Sequence, residues 1–439
     1  MYRAVHADRG GRILVADHPA LAYDGARPVP FGDAIPLPPE ATVVTIEREA
    51  LAAERSGKPR RLGAGRLTAA ALLPPGHLRT QLPAYVDEPG KPDLSPRAYA
   101  AVAADESGAL WTAGILVERD PGTTLAKAEL ATRVSGGLRS HPGDRLVRQL
   151  ARCAREYACR GAANAFAGTG ECALPIAAPS NERAPAAVAP RRDGEAEPTE
   201  PAAFHPSTEE LAGLAREHFA SGGTMVGFGR ACEGEPLLAA REVEDAIARI
   251  RIGTRDGTIH LSTNGSVPTS LRRLRSAGLD AMTVRLISAR AATYEALHGP
   301  DYRFSEVRAS LRLGAELRLS LSVLVPVLPG IFDRPDELTE LVALLSELPA
   351  GSTLLVRDLH ADPLRALARV YTRGVEPLGI AVALKRIAEL AGHVRVGSFV
   401  RPPAARGRRR IRRRRHPVRR AARVPRGGTR SRLCRHFRP

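Results

Sequence analysis

Lysine is nearly missing from this chain: of its 65 basic residues, four are lysine and 61 are arginine. A binding surface has no general reason to avoid lysine, so the bias fits coding in a GC-rich genome better than a polyanion-binding face. Acid is missing from the last stretch. Residues 401–439 hold 17 arginines and no Asp or Glu, which leaves only +1 of the formal charge of +18 for residues 1–400. The body is therefore near neutral, and nucleic-acid binding can be argued for the tail alone. Cysteine is scarce, with five residues at positions 153, 159, 172, 232 and 434. Their irregular spacing, without a secretory context, argues against a disulfide framework. Long apolar runs are missing as well. The N-terminus shows no apolar run followed by a small-residue cleavage site. The richest apolar segment, "LSLSVLVPVLPGIF", is too short and too proline-broken for the roughly 20 residues a bilayer requires. The expectation is a cytoplasmic protein with no membrane partner.

Common catalytic signatures are absent too. No GxSxG, Walker-type or GxGxxG loop stands in a suitable place. His218, His260, His298 and His360 lack a paired spacing such as HxxxH, so zinc gains no support.

Residues 1–145 are rich in proline and turn residues, with short strand-like runs. In "AYAAVAADESGALWTAGILVER" two apolar runs flank Asp105-Glu106-Ser107-Gly108, a loop of hairpin type. A strand-containing N-terminal domain is expected there, followed by a connecting helix over 146–171, where Leu146, Leu150 and Cys153 share one face. From 172 to 402 short apolar runs ("CALPIAA", "TMVGF", "TIHLS", "DAMTVRLI", "RLSLSVLV", "TLLVRDL", "HVRVGSF") alternate with amphipathic stretches. "HPSTEELAGLAREHFASGG" reads as a helix because Ser207 and Glu210 form a capping box, Leu211, Leu214 and His218 share a face, and glycines stop it. Six or seven strand–helix units in series predict an α/β fold with a parallel sheet, either an open doubly wound sheet or a full or partial barrel. In either layout ligands bind beyond the carboxyl ends of the strands.

The loops at that end carry the candidate site. After "TMVGF" comes "GRACEGEPLL", where Gly234 between Glu233 and Glu235 lets the backbone approach a ligand and the carboxylates suit an ammonium group. After "TIHLS", Asn264-Gly265 suits a turn with positive φ at the rim. After "TVRLI", Ser288 and Arg290 reach the same rim, Arg290 being suited to a carboxylate or phosphate. The Pro329-Gly330 turn after the next strand adds an open backbone.

Together "FGRACEGEPLL", "IHLSTNGS", the strand ending in "SAR" and "LVPVLPGIFDR" resemble the radical SAM superfamily, in a subgroup with an N-terminal extension. The resemblance covers most of residues 1–402. It implies a partial (β/α)6 TIM-like barrel and the cofactors of the family, S-adenosylmethionine and a 4Fe-4S cluster. It would put Glu233, Gly234 and Glu235 near the methionyl amine, with Asn264, Ser288 and Arg290 toward the ribose or carboxylate. In such proteins the loop after the first strand carries CxxxCxxC, whose three thiolates hold the cluster and leave one iron for S-adenosylmethionine. Aligned with that pattern, "APSNERAPAAVAP" places Ser180, Ala184 and Ala187 at the three ligand positions. Serine is a poor replacement ligand and alanine has no donor atom. Cys153 and Cys159, if on one helix, are rotated roughly 240° around its axis from one to the other and do not converge, and Cys153, Cys159 and Cys172 read best as small packing residues. Cys232 in the second loop is the one cysteine on the rim.

The expectation is a catalytically impaired, pseudoenzyme member of the radical SAM family without its cluster, with binding of S-adenosylmethionine left open and a small-molecule or peptide substrate of unspecified chemistry. Two alternatives stand beside it: an active radical enzyme with unconventional ligands, and a polyanion binder acting through the tail. Residues 403–439 have no hydrophobic period and are expected to be disordered. Their arginines would give nucleic-acid contacts steep salt dependence, yet the tail lacks the interleaved aromatics of a single-strand binder. It also fits GC-rich sequence read outside its original frame.

Overall fold

Alternation of apolar and polar residues from position 171 onward builds one sheet. In the computed structural model, which describes residues 1–121, 125–176, 178–182, 202–229, 234–299, 301–370 and 374–403, its seven strands run in chain order. They are Glu171–Ala173, Met225–Phe228, Thr258–Thr263, Ala281–Arg285, Ser320–Val327, Thr353–Asp358 and Arg395–Gly397, each parallel to the next. Helices Thr208–Ala220, Ala240–Gly253, Leu271–Ala277, Phe304–Glu316, Pro335–Ser346 and Ile380–Leu390 separate successive strands. This is the expected partial TIM-like α/β barrel: six strand–helix units and a seventh strand. Among the described residues no pairing joins the seventh strand to the first, so the barrel is open along one side. Two further helices, Ala291–His298 and Pro363–Val370, follow the fourth and sixth strands. No described helix is long and apolar enough to cross a membrane.

The period of two along each strand divides the sheet into two chemistries. Val226, Ile259, Leu261, Met282, Val284, Val323 and Val356 pack with Leu211, Val243, Ile247, Leu311 and Leu345 of the surrounding helices in one core. The alternate residues, among them Glu171, Gly227, His260, Ser262, Thr283, Arg285 and Ser322, turn to the other side. A closed eight-stranded barrel fills that space with branched apolar side chains; here the inner wall is polar. At the helix Thr208–Ala220 the predicted capping box forms, with Ser207 Oγ accepting from Glu210 N at 3.2 Å and Glu210 Oε2 accepting from Ser207 N at 2.7 Å.

Over 146–171 the chain forms two helices where one was expected, Arg145–Glu156 and Arg160–Ala167. The break carries Ala158 at φ 48°, and Cys159 lies in it, its N donating to Cys153 O at 3.0 Å. Cys153 and Cys172 are buried in apolar surroundings, as packing residues are.

The N-terminal region is antiparallel. The expected hairpin pairs Tyr99–Ala104 with Leu110–Leu116, and alanines at 69–71, 100, 101, 103 and 104 keep its sheet close-packed. With the barrel it makes one compact unit, Met1–Pro403. It sits against the carboxyl ends of the last barrel strands, where Glu118 accepts from Ser398 N at 2.8 Å and Phe399 N at 3.1 Å. Gly25 and Gly330 meet so closely that a Cβ on Gly330 would lie 2.4 Å from the Gly25 Cα. Arg79 crosses the junction fully buried. Its Nη2 donates to Leu359 O at 2.6 Å, its backbone N to Asp358 Oδ1 at 3.2 Å, and its Nε lies 3.7 Å from that carboxylate. Burial pushes Asp358 up to about 6 while Arg79 pulls it down.

Removing one member of a buried ion pair leaves the other without a counter-charge. Arg79→Leu is therefore expected to lose about 3–5 kcal/mol in urea denaturation, whereas Arg79→Leu combined with Asp358→Leu recovers most of that loss. A single variant within about 1 kcal/mol of the parent contradicts the role given to the pair.

Candidate functional site

The loops beyond the strand ends converge on Arg285, the last residue of the fourth strand. Alternation along "AMTVR" sets it on the inner face with Thr283, and it is met there from several elements. Its Nη1 donates to Gly229 O and to Ser262 O, both at 3.1 Å, and its Nη2 reaches Glu235 Oε2 at 3.2 Å and Glu182 Oε1 at 3.4 Å. One guanidinium thus joins the loop after the first strand, the loop after the second, and the third strand.

Glu235 is fully buried. Its carboxylate caps the 3-10 turn Pro236–Ala239 by accepting from Leu237 N at 3.0 Å, and it also accepts from Thr263 Oγ1 at 2.5 Å and Asn264 N at 2.7 Å. Burial raises Glu235 above the usual carboxylate range, against the pull of Arg285 and these hydrogen bonds. Glu182 moves the other way. Burial would raise it too, but the hydrogen bond from His298 and the charges of Arg285 and His298 outweigh burial and hold it at about 2. His298 Nε2 lies 3.3 Å from Glu182 Oε1 and 2.9 Å from Tyr302 Oη, which lies 2.6 Å from Tyr294 Oη. Burial raises both tyrosines, which stay neutral.

Residues 178–182 lie across this mouth. Asn264 Nδ2 donates to Asn181 Oδ1 at 2.8 Å, Asn181 Nδ2 to Ser266 Oγ at 3.1 Å, Asp301 N to Asn181 O at 3.1 Å, and Glu235 N to Pro179 O at 2.9 Å. Gly234, at φ 69°, makes the close approach possible, since a Cβ there would stand 2.2 Å from Ala178 O. The glycine thus faces the chain's own backbone.

Of the residues singled out from sequence, Gly234, Glu235 and Asn264 belong to this network, and the predicted turn has Gly265 at φ 76°. Ser288 and Arg290 belong to a second group. Ser288 Oγ donates to Glu337 Oε2 at 2.5 Å and accepts from Arg290 N at 2.9 Å, while Arg290 Nε lies 3.5 Å from Asp336 Oδ2. Ser180 is exposed, its Oγ accepting from Glu182 N at 3.2 Å. Glu233, Ala184, Ala187 and Cys232 lie outside the described residues. Sequence reasoning missed Asn181, Glu182, Arg285, Tyr294, His298 and Tyr302. Arg285 could have been found as the one charge on the inner face of an apolar strand, and Tyr294, His298 and Tyr302 by their spacing of four.

A 4Fe-4S cluster needs soft thiolates grouped on one rim. The described mouth offers oxygen and nitrogen donors bonded to one another, and among the described residues no three His, Cys, Asp or Glu side chains are arranged to hold a metal ion. These residues do not fit the cluster. S-adenosylmethionine would meet, at Glu235 and Asn264, polar atoms already engaged within the protein.

No family model matches the chain, and no curated protein does. Among solved structures it is similar to HydG, a maturase of the FeFe-hydrogenase, with 10% identity and a TM-score of 0.36 over 62% of this chain. It spans 62% of that maturase's length. It is also similar to methylornithine synthase, with 12% identity and a TM-score of 0.37 over 62% of this chain and 75% of the other. Against a radical SAM methyltransferase from Sphaerobacter thermophilus the identity is 18% and the TM-score 0.33, over 45% of this chain and 59% of the other. At these scores the fold assignment rests on the strand order and helix placement described above.

Arg285→Met leaves two buried carboxylates without their shared cation. A loss of about 3–5 kcal/mol is expected at pH 8, shrinking toward pH 5, because buried carboxyls that take up protons on folding gain stability as pH falls. In the parent the sign is opposite for Glu182: held at about 2 against a usual 4.5, it contributes fully above pH 4.5 and loses that contribution as pH falls toward 2. Equal stability of variant and parent in urea at pH 8 contradicts this account.

Proposed function

We propose that the chain is a radical SAM-like protein whose barrel mouth has exchanged the cluster-binding loop for a closed polar network, so that it binds S-adenosylmethionine weakly and does not cleave it. The observation that carries this reading is Glu182. It belongs to the loop where the family pattern calls for thiolates, and its carboxylate is seated on Arg285 and His298. Ser180, Ala184 and Ala187 at the pattern's three positions add no sulfur. Reductive cleavage of a sulfonium needs an electron delivered at low potential by a cluster in contact with it, and the oxygen and nitrogen donors of this mouth cannot hold that cluster. Residues 1–145 are read as a strand-containing domain that closes one side of the barrel's carboxyl end, residues 172–402 as the barrel proper. The tail, 403–439, falls outside the described residues apart from Pro403 and takes no part in this reading.

Iron analysis after anaerobic reconstitution with iron and sulfide tests the proposal. The expected result is colourless protein with well under one iron per chain, together with weak, saturable binding of S-adenosylmethionine by calorimetry. Brown protein holding about four irons, the content of one 4Fe-4S cluster, overturns it in favour of an active enzyme with ligands recruited from elsewhere, Cys232 first among them.

A further inference from the structure

The open side of the barrel holds a second polar site, away from the mouth. Between the first and seventh strands lies a cavity of about 480 Å³ whose wall includes Arg160, Asn164, Glu171, Arg357, Phe399 and Arg401. That volume falls in the range of small-ligand sites. Three guanidiniums of this wall are held by the protein. Arg160 grips Asp120 with both Nη groups and lies over the Phe399 ring, 4.9 Å from its centre. Arg357 Nε donates to Ser398 O at 3.0 Å. Arg401 is paired with Glu118, which also holds Arg395 at 3.1 Å. A guanidinium presents its donors in a fixed planar fork that matches an oxyanion. Arginines so anchored suit an oxyanion.

Glu171 connects this cavity to the inside of the barrel. Its Oε1 lies 2.8 Å from His260 Nδ1, and His260 Nε2 lies 2.8 Å from Thr283 Oγ1. The line runs from the first strand across the second to the third and fourth. It passes the second strand because position 227 is glycine: a Cβ there would stand 2.0 Å from Glu171 Oε1. His260 is 2% exposed, so one end of the line is sealed and the other, at Glu171, borders the cavity. Near Glu171 stand His260 and His218 of the helix Thr208–Ala220, whose Nε2 meets Gly170 O at 3.1 Å, and the three arginines share its wall of the cavity. Asp120 and Glu118 hold two of the arginines from behind. An anion entering the cavity therefore meets cations on its wall and one carboxylate. That carboxylate opposes an entering anion by charge repulsion.

We propose that this cavity binds a small organic oxyanion, a phosphate ester or a carboxylate, on its arginine-bearing wall. The site is independent of the mouth and of any reading of its cofactor. Titration calorimetry of the full chain at pH 7 and low ionic strength tests it. The probes are inorganic phosphate and succinate. Saturable 1:1 binding of either probe is expected, and which one binds more tightly tells phosphate ester from carboxylate. Arg357→Gln should weaken binding at least tenfold. Arg401→Gln, at an exposed position where folding is not in question, should weaken it several-fold. Glu171→Gln, which removes the carboxylate from the wall, should bind more tightly. Failure of both probes to saturate the parent, or unchanged binding in both arginine variants, overturns the site. Glu171→Gln binding no more tightly than the parent overturns the part given to that carboxylate.

Discussion

A guanidinium carried inward on a strand cannot be left without acceptors, and the mouth of this barrel is organised around that requirement at Arg285. Withdrawing such a charge from water costs several kcal/mol, recovered only where its donors are met and a counter-charge stands close. The carbonyls of Gly229 and Ser262 and the carboxylates of Glu235 and Glu182 meet them. The four acceptors come from three separate parts of the chain, so satisfying one side chain fixes how the loops after the first and second strands approach the third. Glu235 extends the constraint, since the same carboxylate caps Pro236–Ala239 and accepts from Thr263 and Asn264.

The chemistry available at the mouth follows from that arrangement. With Glu182 seated on Arg285 and His298, residues 178–182 are drawn across the strand ends, and Asn181 bonds the rim at Asn264, Ser266 and Asp301. The donors of the described mouth are oxygen and nitrogen atoms paired with one another. The polar character continues inward as Glu171, His260 and Thr283, in place of the branched apolar layers of a closed barrel. The polarity of the wall is met inside the protein, since Glu171, His260 and Thr283 bond one another in line while His260 and Thr283 are buried.

Most of the architecture was legible because it is local. "TIHLST" alternates, and Ile259 and Leu261 pack outward while His260 hydrogen-bonds inward. Ser207 and Glu210 announce their helix three residues apart. What was not legible depends on partners far along the chain. Ser288 and Arg290 could be placed on the rim, but not their acceptors Glu337 and Asp336 on a later helix. Glu182 stands in an alanine- and proline-rich loop with no pattern of its own, and its significance comes from Arg285, 103 residues on. The break at Ala158 carries no local signal either, because alanine at positive φ is held by its surroundings and not by preference.

The closed mouth is tested most directly by amide hydrogen exchange at the bonds that residues 178–182 make with the barrel. In the parent, the amides of Glu235, Asn264 and Asp301, which donate to Pro179 O, the Glu235 carboxylate and Asn181 O, should exchange slowly. In Glu182→Ala, those of Glu235 and Asp301 should speed up by at least tenfold while Asn264, bonded within the barrel, holds its protection. Fast exchange of Glu235 and Asp301 in the parent, or no change in the variant, would show that Glu182 does not hold the mouth closed.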